Sequence, residues 1–146
     1  MDGWWREYVG IPFKEKGRDL AGFDCWGLVC HVYHHKRGII LPDYLQHYEK
    51  TDDREALGIL IAEQSKTVWK QVEGKPAPFD VIIGRMRGVP MHVMLVTKAG
   101  YMLHCVRGIG TVLERYDTVK WRSSIEGIVR YDGESKSICS PAAIQQ

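Results

Sequence analysis

The chain has 146 residues, 45% hydrophobic and 26% charged, with a formal net charge of +2. That is the size of one domain, and it is enough chain to bury a core without staples. The charge is too small to argue for nucleic acid, and no apolar run approaches the roughly 20 residues that span a bilayer.

The N-terminus, "MDGWWREYVG", lacks the basic-then-apolar order of a signal peptide, so the chain is expected to be made in the cytoplasm and to stay there or leave by another route. "GWWREYV" reads as a short amphipathic helix ending at Gly10. "GIPFKEKGRDLAG" is a loop, rich in glycine and charge. A buried helix follows. Asp24 is its N-cap, Trp26, Leu28, Val29, Val32 and Tyr33 give the three-to-four spacing, and Gly38 closes it. "IILPDY" leaves as an extended segment, and residues 52–65 have the pattern of a second helix. Beyond "EGKPAP" the period becomes strand-like, in "FDVIIGRM", "MHVMLVT", "YMLHCVRG", "GTVLERYD" and "IEGIVRYD". Helices first and then an antiparallel meander predict an α+β fold, with one domain over residues 1–132 and a flexible tail over 133–146.

The stretch "AGFDCWGLVCHVYHHKRG" concentrates the residues that carry chemistry. Zinc wants four ligands at recognisable spacing, and the chain has no Cys-x-x-Cys pair, so no metal is expected. Cys25 and Cys30 are five apart on one helix, which turns their side chains about 140° apart and suits a bridge poorly. With Cys105 and Cys139 they are read as thiols. Cys30 reads as a small buried hydrophobe, and His31, His34, His35 and His47 as solvated or packing positions. Cys25 differs from the other three. It lies in the first helical turn, where unpaired N–H groups and the helix dipole stabilise a thiolate and could hold an oxyanion.

A thiol nucleophile needs a base. His92 alternates with apolar neighbours on its strand, on the same face as Met94 and Val96, and His104 stands on the next strand. Their meeting depends on the hairpin. A three-residue loop, Lys98 to Gly100, puts His104 opposite Met94 and diagonal to His92, whereas a two-residue loop puts the histidines on opposite faces. In the first register one imidazole takes the thiol proton and the other orients it, the general logic of a nucleophile, base and orienter. Cys105 then faces away from His104, into the core.

These residues resemble a known family. "GFDCWGLVCHVYHHKRGIILPDY", "APFDVIIGRMRGVPMHVMLV" and "GYMLHCVRGIGTVLERY" are similar in order and spacing to the motifs of the NlpC-type peptidases, papain-like cysteine endopeptidases of the cell wall. The resemblance runs from about residue 4 to residue 131. It implies N-terminal helices packed on a five- or six-stranded antiparallel sheet. It also implies Cys25 as nucleophile, His92 as base and then acid, His104 as the orienting group, and no cofactor. The implied substrate is the peptidoglycan stem peptide, cut between D-γ-glutamate and diaminopimelate or lysine through an acyl-enzyme.

The family's tyrosine, about twelve residues before the nucleophile, corresponds here to Phe13, which has no hydroxyl. Asp24, Trp26, Tyr8 and Phe13 are therefore the candidates for the oxyanion and substrate site. Phe79 stands where the family often has glycine, before Asp80, which reads as a turn or strand-start residue. Trp5 is expected in the core, while Trp4 and Trp26 fit either a groove or the core. Trp26 with "GIILPDY" resembles most the phage tail-assembly branch, which implies tail-tip protein partners and a virion tail tip acting on the bacterial wall. Wall-binding repeats are not expected, so targeting would come from those partners. Two alternatives stand beside this reading: an amidase or acyltransferase on the same Cys-His-His set, and a structural tail component with weak activity.

Overall fold

The computed structural model describes residues 3–46, 68–86 and 89–133. A 3-10 turn, Trp4–Tyr8, opens it. A short hairpin of two-residue strands, β1 (Arg18–Asp19) and β2 (Gly22–Phe23), starts within the segment read as loop and ends one residue beyond it. The helix α1 (Cys25–Val32) follows, and a π turn, Tyr33–Arg37, extends it to Gly38, whose φ of 66° is the left-handed stop foreseen for it. The expected helix over 52–65, His47, and Cys139 in the tail lie outside the described residues.

One six-stranded sheet makes up the rest. Its strands are β3 (Trp69–Gln71), β4 (Val81–Met86), β5 (Val89–Lys98), β6 (Tyr101–Val106), β7 (Gly110–Arg115) and β8 (Ile125–Tyr131), in the order β3-β8-β4-β5-β6-β7. The meander holds from β4 to β7. It breaks at β8, which crosses back to pair with β4, Val81 opposite Val129. A four-residue helix, α2 (Val119–Arg122), makes that reversal, with Thr118 as its N-cap. Sequence periodicity missed β1, β2, β3 and α2, because none is long enough to show a period.

Alternation along the strands gives the sheet two apolar faces. Val81, Val93, Leu95, Leu103 and Cys105 join α1 in the main core, with Phe23, Trp26, Leu28 and Val32. Ile82, Met94, Val96 and Met102 form a second cluster under Trp121 of α2. Trp4 is the deeper of the tryptophan pair. It stacks flat on Phe79 at 4.6 Å, leaving Trp5 at the core's margin with the Lys98 ammonium over its ring. This corrects the sequence expectation for Trp5. Trp26 is also core: its indole N–H donates to the Pro42 carbonyl at 2.7 Å and its ring stacks on Tyr44.

Asp80 immediately precedes β4, at the turn into the strand. Its buried carboxylate accepts from Arg130 Nε and Nη2, at 2.8 and 2.9 Å, and from the Ala77 N–H. Phe79 adopts a φ of 75°, a left-handed conformation that favours glycine. Among the described residues no helix is long and apolar enough to cross a membrane.

Candidate active site

Cys25 is the first residue of α1 and is buried. Asp24 caps the helix, its Oδ1 accepting from the Gly27 N–H at 2.7 Å and from Arg18 Nη1 at 2.8 Å. Arg18 also reaches the Gly17 and Asp43 carbonyls, so one guanidinium ties the β1–β2 hairpin, the cap and the segment after α1 together. Gly27 is required by close approach, since a Cβ there would run into the Gly17 carbonyl oxygen. The loop backbone thus lies directly on the first turn of α1, and the Asp-Cys-x-Gly spacing has a steric cause.

The sheet brings the two histidines together. His92 Nε2 lies 2.8 Å from His104 Nδ1, and both rings are buried. The connection between β5 and β6 is only two residues, Ala99 and Gly100, the loop expected to separate them. A bulge restores the register: Leu95 pairs with Leu103 and Val96 with Met102, but Lys98 pairs with Tyr101, leaving Thr97 as an extra residue. One inserted residue shifts the pairing by one and returns His104 to the face of His92. A second bulge lies beside His92 itself, which pairs with Gly84 while Pro90 pairs with Arg85. Such irregularities re-aim side chains at strand ends.

α1 packs across β5 and β6, the strands that carry both histidines. Cys25 shares its cluster with Val93, next to His92, and with Leu103 and Cys105, which flank His104. Cys105 points into the core as expected, and its thiol donates to the Phe23 carbonyl at 3.2 Å. That bond links β6 to the residue before the cap. Burial pushes the Cys105 thiol pKa up, and it pushes Cys30, beside the Pro42 carbonyl, up to about 12. Neither thiol is prepared to react as a thiolate.

Sequence reasoning missed the residue beyond His104. Glu114 of β7 accepts from His104 Nε2 at 2.9 Å, and its other oxygen takes the Trp121 indole N–H at 2.9 Å and the Lys120 ammonium at 3.3 Å. Met102 pairs with Glu114 and His104 with Val112, so Glu114 is the diagonal neighbour of His104 on one face. The alternation of "GTVLER" was a usable signal, but it needed the β6–β7 register. Burial alone would raise the Glu114 pKa; the bonds from Trp121 and His104 outweigh it and hold the carboxyl below its usual range. Burial of His104 outweighs the opposite pull of Glu114 and lowers the imidazole pKa. At neutral pH the pair is a carboxylate and a neutral imidazole.

The remaining candidates stand at different distances from the thiol. Phe13 bridges to Phe23, two residues from Cys25, and the Arg107 guanidinium covers its ring at 4.8 Å. The Tyr8 ring lies against Phe23 and edge-on to His31, about 9 Å of helix rise beyond Cys25. Burial pushes its hydroxyl pKa up to about 12. His34 and His35 are exposed near the helix end, as expected.

A model of the NlpC/P60 family matches residues 10–130. The chain belongs to that family. Members of the NlpC/P60 family are cysteine peptidases. A gamma-DL-glutamyl hydrolase of Bacillus subtilis is 25% identical over 127 residues, which cover 86% of this chain and 27% of that protein. The chain therefore spans about a quarter of this curated relative.

Among solved structures, the NlpC/P60 domain of the peptidoglycan hydrolase SagA superposes with a TM-score of 0.58 at 21% identity, covering 86% of this chain and 91% of that one. An NlpC/P60 protein from Bacillus cereus gives a TM-score of 0.63 at 21% identity, over 87% of this chain and 37% of that one. The fold is the papain-like α+β arrangement, with a sheet of six strands.

Proposed function

We propose that this NlpC/P60 chain is a cysteine endopeptidase of peptidoglycan stem peptides, with Cys25 as nucleophile, His92 as base and then acid, and His104 as the group that orients His92. The observation that carries it is the buried His92–His104 bond, carried by the two strands that α1 packs across, with a capped cysteine at the start of that helix. His92 uses Nε2 toward His104, which leaves Nδ1 as the nitrogen for the thiol proton. The Cys25 thiolate attacks the scissile carbonyl, and N–H groups of the first turn of α1 hold the oxyanion. His92 then gives the proton to the leaving amine. Water, deprotonated by His92, releases the acyl group.

The names of two relatives support this substrate. One is named for γ-DL-glutamyl hydrolysis and another is a peptidoglycan hydrolase. The first supports cleavage after D-γ-glutamate and the second a peptidoglycan substrate, and the family resemblance adds diaminopimelate or lysine as the next residue. The likeness of Trp26 and "GIILPDY" to the phage tail-assembly branch supports action at a tail tip, with tail-tip proteins as partners.

The test is the rate of iodoacetamide alkylation at each cysteine, read by peptide mass spectrometry across pH, with His92→Ala in parallel. Cys25 is expected to react far faster than Cys30 and Cys105 near neutral pH, and His92→Ala is expected to remove that advantage. Purified stem peptides should then be cut after D-γ-glutamate by the wild type and not by Cys25→Ala. A Cys25 no faster than Cys139 would refute the nucleophile reading and leave a structural tail component. Acylation of Cys25 by a lipid ester but not by a stem peptide would favour the acyltransferase. Absence of the chain from intact virions of a phage encoding it would refute the tail-tip placement.

A further inference from the structure

We infer that Glu114 is a positioning residue that sets the tautomers of both histidines and so places the basic lone pair on His92 Nδ1. The inference rests on the proposed Cys25–His92 chemistry for its catalytic consequence, but its hydrogen-bond logic does not.

A carboxylate only accepts. Glu114 Oε1 at 2.9 Å therefore requires the proton of neutral His104 on Nε2. His104 Nδ1 is then a bare acceptor, and the 2.8 Å contact requires a proton on His92 Nε2. A neutral His92 with Nε2 protonated has its lone pair on Nδ1. The polarity of the chain is thus decided at its far end, on a different strand from either histidine.

The surroundings keep Glu114 in this role. The groups that face it are His104 from β6 and Lys120 and Trp121 from α2. Lys120 and Trp121 are both donors, and both use Oε2, so Oε1 is left for the imidazole. Trp121 does so from a buried position, with its ring edge-on to His104 at 5.6 Å. Its own backbone N–H is fixed by the Thr118 cap. The reversal at α2, needed to take β8 back to β4, therefore also clamps the carboxylate.

This arrangement makes Glu114→Gln an informative substitution. The buried Trp121 N–H needs an acceptor, so the glutamine oxygen turns to it and the amide N–H₂ faces His104 Nε2. A donor there drives the His104 proton to Nδ1, which then donates to His92 Nε2 and moves the His92 proton to Nδ1. The base nitrogen is then occupied. A mis-set tautomer in the serine-protease triad costs on the order of 10⁴ in rate. A loss of about 10²-fold or more in kcat/KM is expected here. Replacing Trp121 by Phe removes the buried donor and leaves only Lys120, whose exposed ammonium at 3.3 Å is satisfied by water, so Trp121→Phe with Glu114→Gln lets the glutamine oxygen return to His104.

The experiment is nitrogen-15 NMR of the histidine rings in wild type, Glu114→Gln, Trp121→Phe and the double variant, with stem-peptide hydrolysis on the same samples. Wild type is expected to show both His104 and His92 protonated at Nε2. Glu114→Gln should move both protons to Nδ1. The double variant should restore the wild-type tautomers and bring kcat/KM to within about tenfold of Trp121→Phe alone.

A wild-type His104 protonated at Nδ1 overturns the inference, and that measurement needs no variant to fold. Unchanged tautomers in Glu114→Gln, or a double variant no better than Glu114→Gln, also overturn it. The two proposals fail separately. An inert Cys25 with the expected tautomers refutes the peptidase reading alone, and an active enzyme with His104 protonated at Nδ1 refutes the inference alone.

Discussion

Replacing Asp24 by alanine tests whether the start of α1 is held as described. Two interactions are lost together, the cap on the Gly27 N–H and the ion pair with Arg18, on a carboxylate that is 0% exposed. Loss of an N-cap costs about 1 kcal/mol. Breaking a fully buried ion pair costs about 3–5 kcal/mol. Here the loss is smaller, because Arg18 is 16% exposed and keeps the Gly17 and Asp43 carbonyls. About 2 kcal/mol for the pair and about 3 kcal/mol in all is a fair sum. For a chain of this length that lowers Tm by about 9 °C.

Asparagine separates the two parts. Its carbonyl oxygen can still accept from the Gly27 N–H, so Asp24→Asn should lower Tm by about half as much. The assay is thermal unfolding followed by circular dichroism at pH 7, with Cys25 alkylation on the same samples. Alanine should also slow alkylation, because a frayed first turn no longer presents its N–H groups to sulfur. A Tm within 2 °C of wild type for alanine, or asparagine as damaging as alanine, refutes the reasoning.

Other outcomes follow from the same structure. Cys30, with its pKa pushed up to about 12, should be alkylated roughly 10³-fold more slowly at neutral pH than an ordinary peptide thiol, and a comparable rate would mean its site opens. Burial lowers the pKa of His104 against the pull of Glu114, and burial with His35 and His34 lowers that of His31. The unfolded chain therefore binds more protons below about pH 6.5. Stability should be full above that pH and fall as pH drops through the folded pKa values, by up to about 1.4 kcal/mol per unit for each group. A urea midpoint no lower at pH 5.5 than at pH 7.5 counts against it. Phe79→Gly relieves about 1 kcal/mol of left-handed strain but loses the stack on Trp4 and part of a half-buried ring. A net loss of about 1 kcal/mol is expected in urea unfolding, and a gain would show the stack to be idle. Phe13→Tyr should raise stem-peptide kcat by tenfold or more if the missing hydroxyl limits the oxyanion site, and an unchanged kcat would show that the first turn of α1 suffices.

Much of the architecture was legible because it is local. The Asp24 cap, the apolar stripe of α1 and the Gly38 stop lie within one short stretch, and so does the alternation that set β4 to β8. The family motifs are short patterns of the same kind, and they were sufficient to point to the fold. Cys25 could be singled out because a helix start is an electrostatic environment written in three or four consecutive residues. The same locality explains Cys105, whose parity along β6 placed it in the core.

What only the tertiary structure decided is register and long-range pairing. The turn between β5 and β6 has two residues, and by that criterion alone His92 and His104 part company; the Thr97 bulge reverses the outcome. Nothing in "VTKAG" announces it. Asp80 and Phe79 pair with Val96 on the other side of β5, and this long-range ladder fixes the strand just before the turn. Because side chains alternate with period two, one extra residue changes every face beyond it. Glu114 and Trp121 were hidden for a related reason. Their partnership with His104 depends on the β6–β7 register and on a four-residue helix that returns the chain to β4. A sequence carries the period of an element, but the offset between two elements is set by what they bury together.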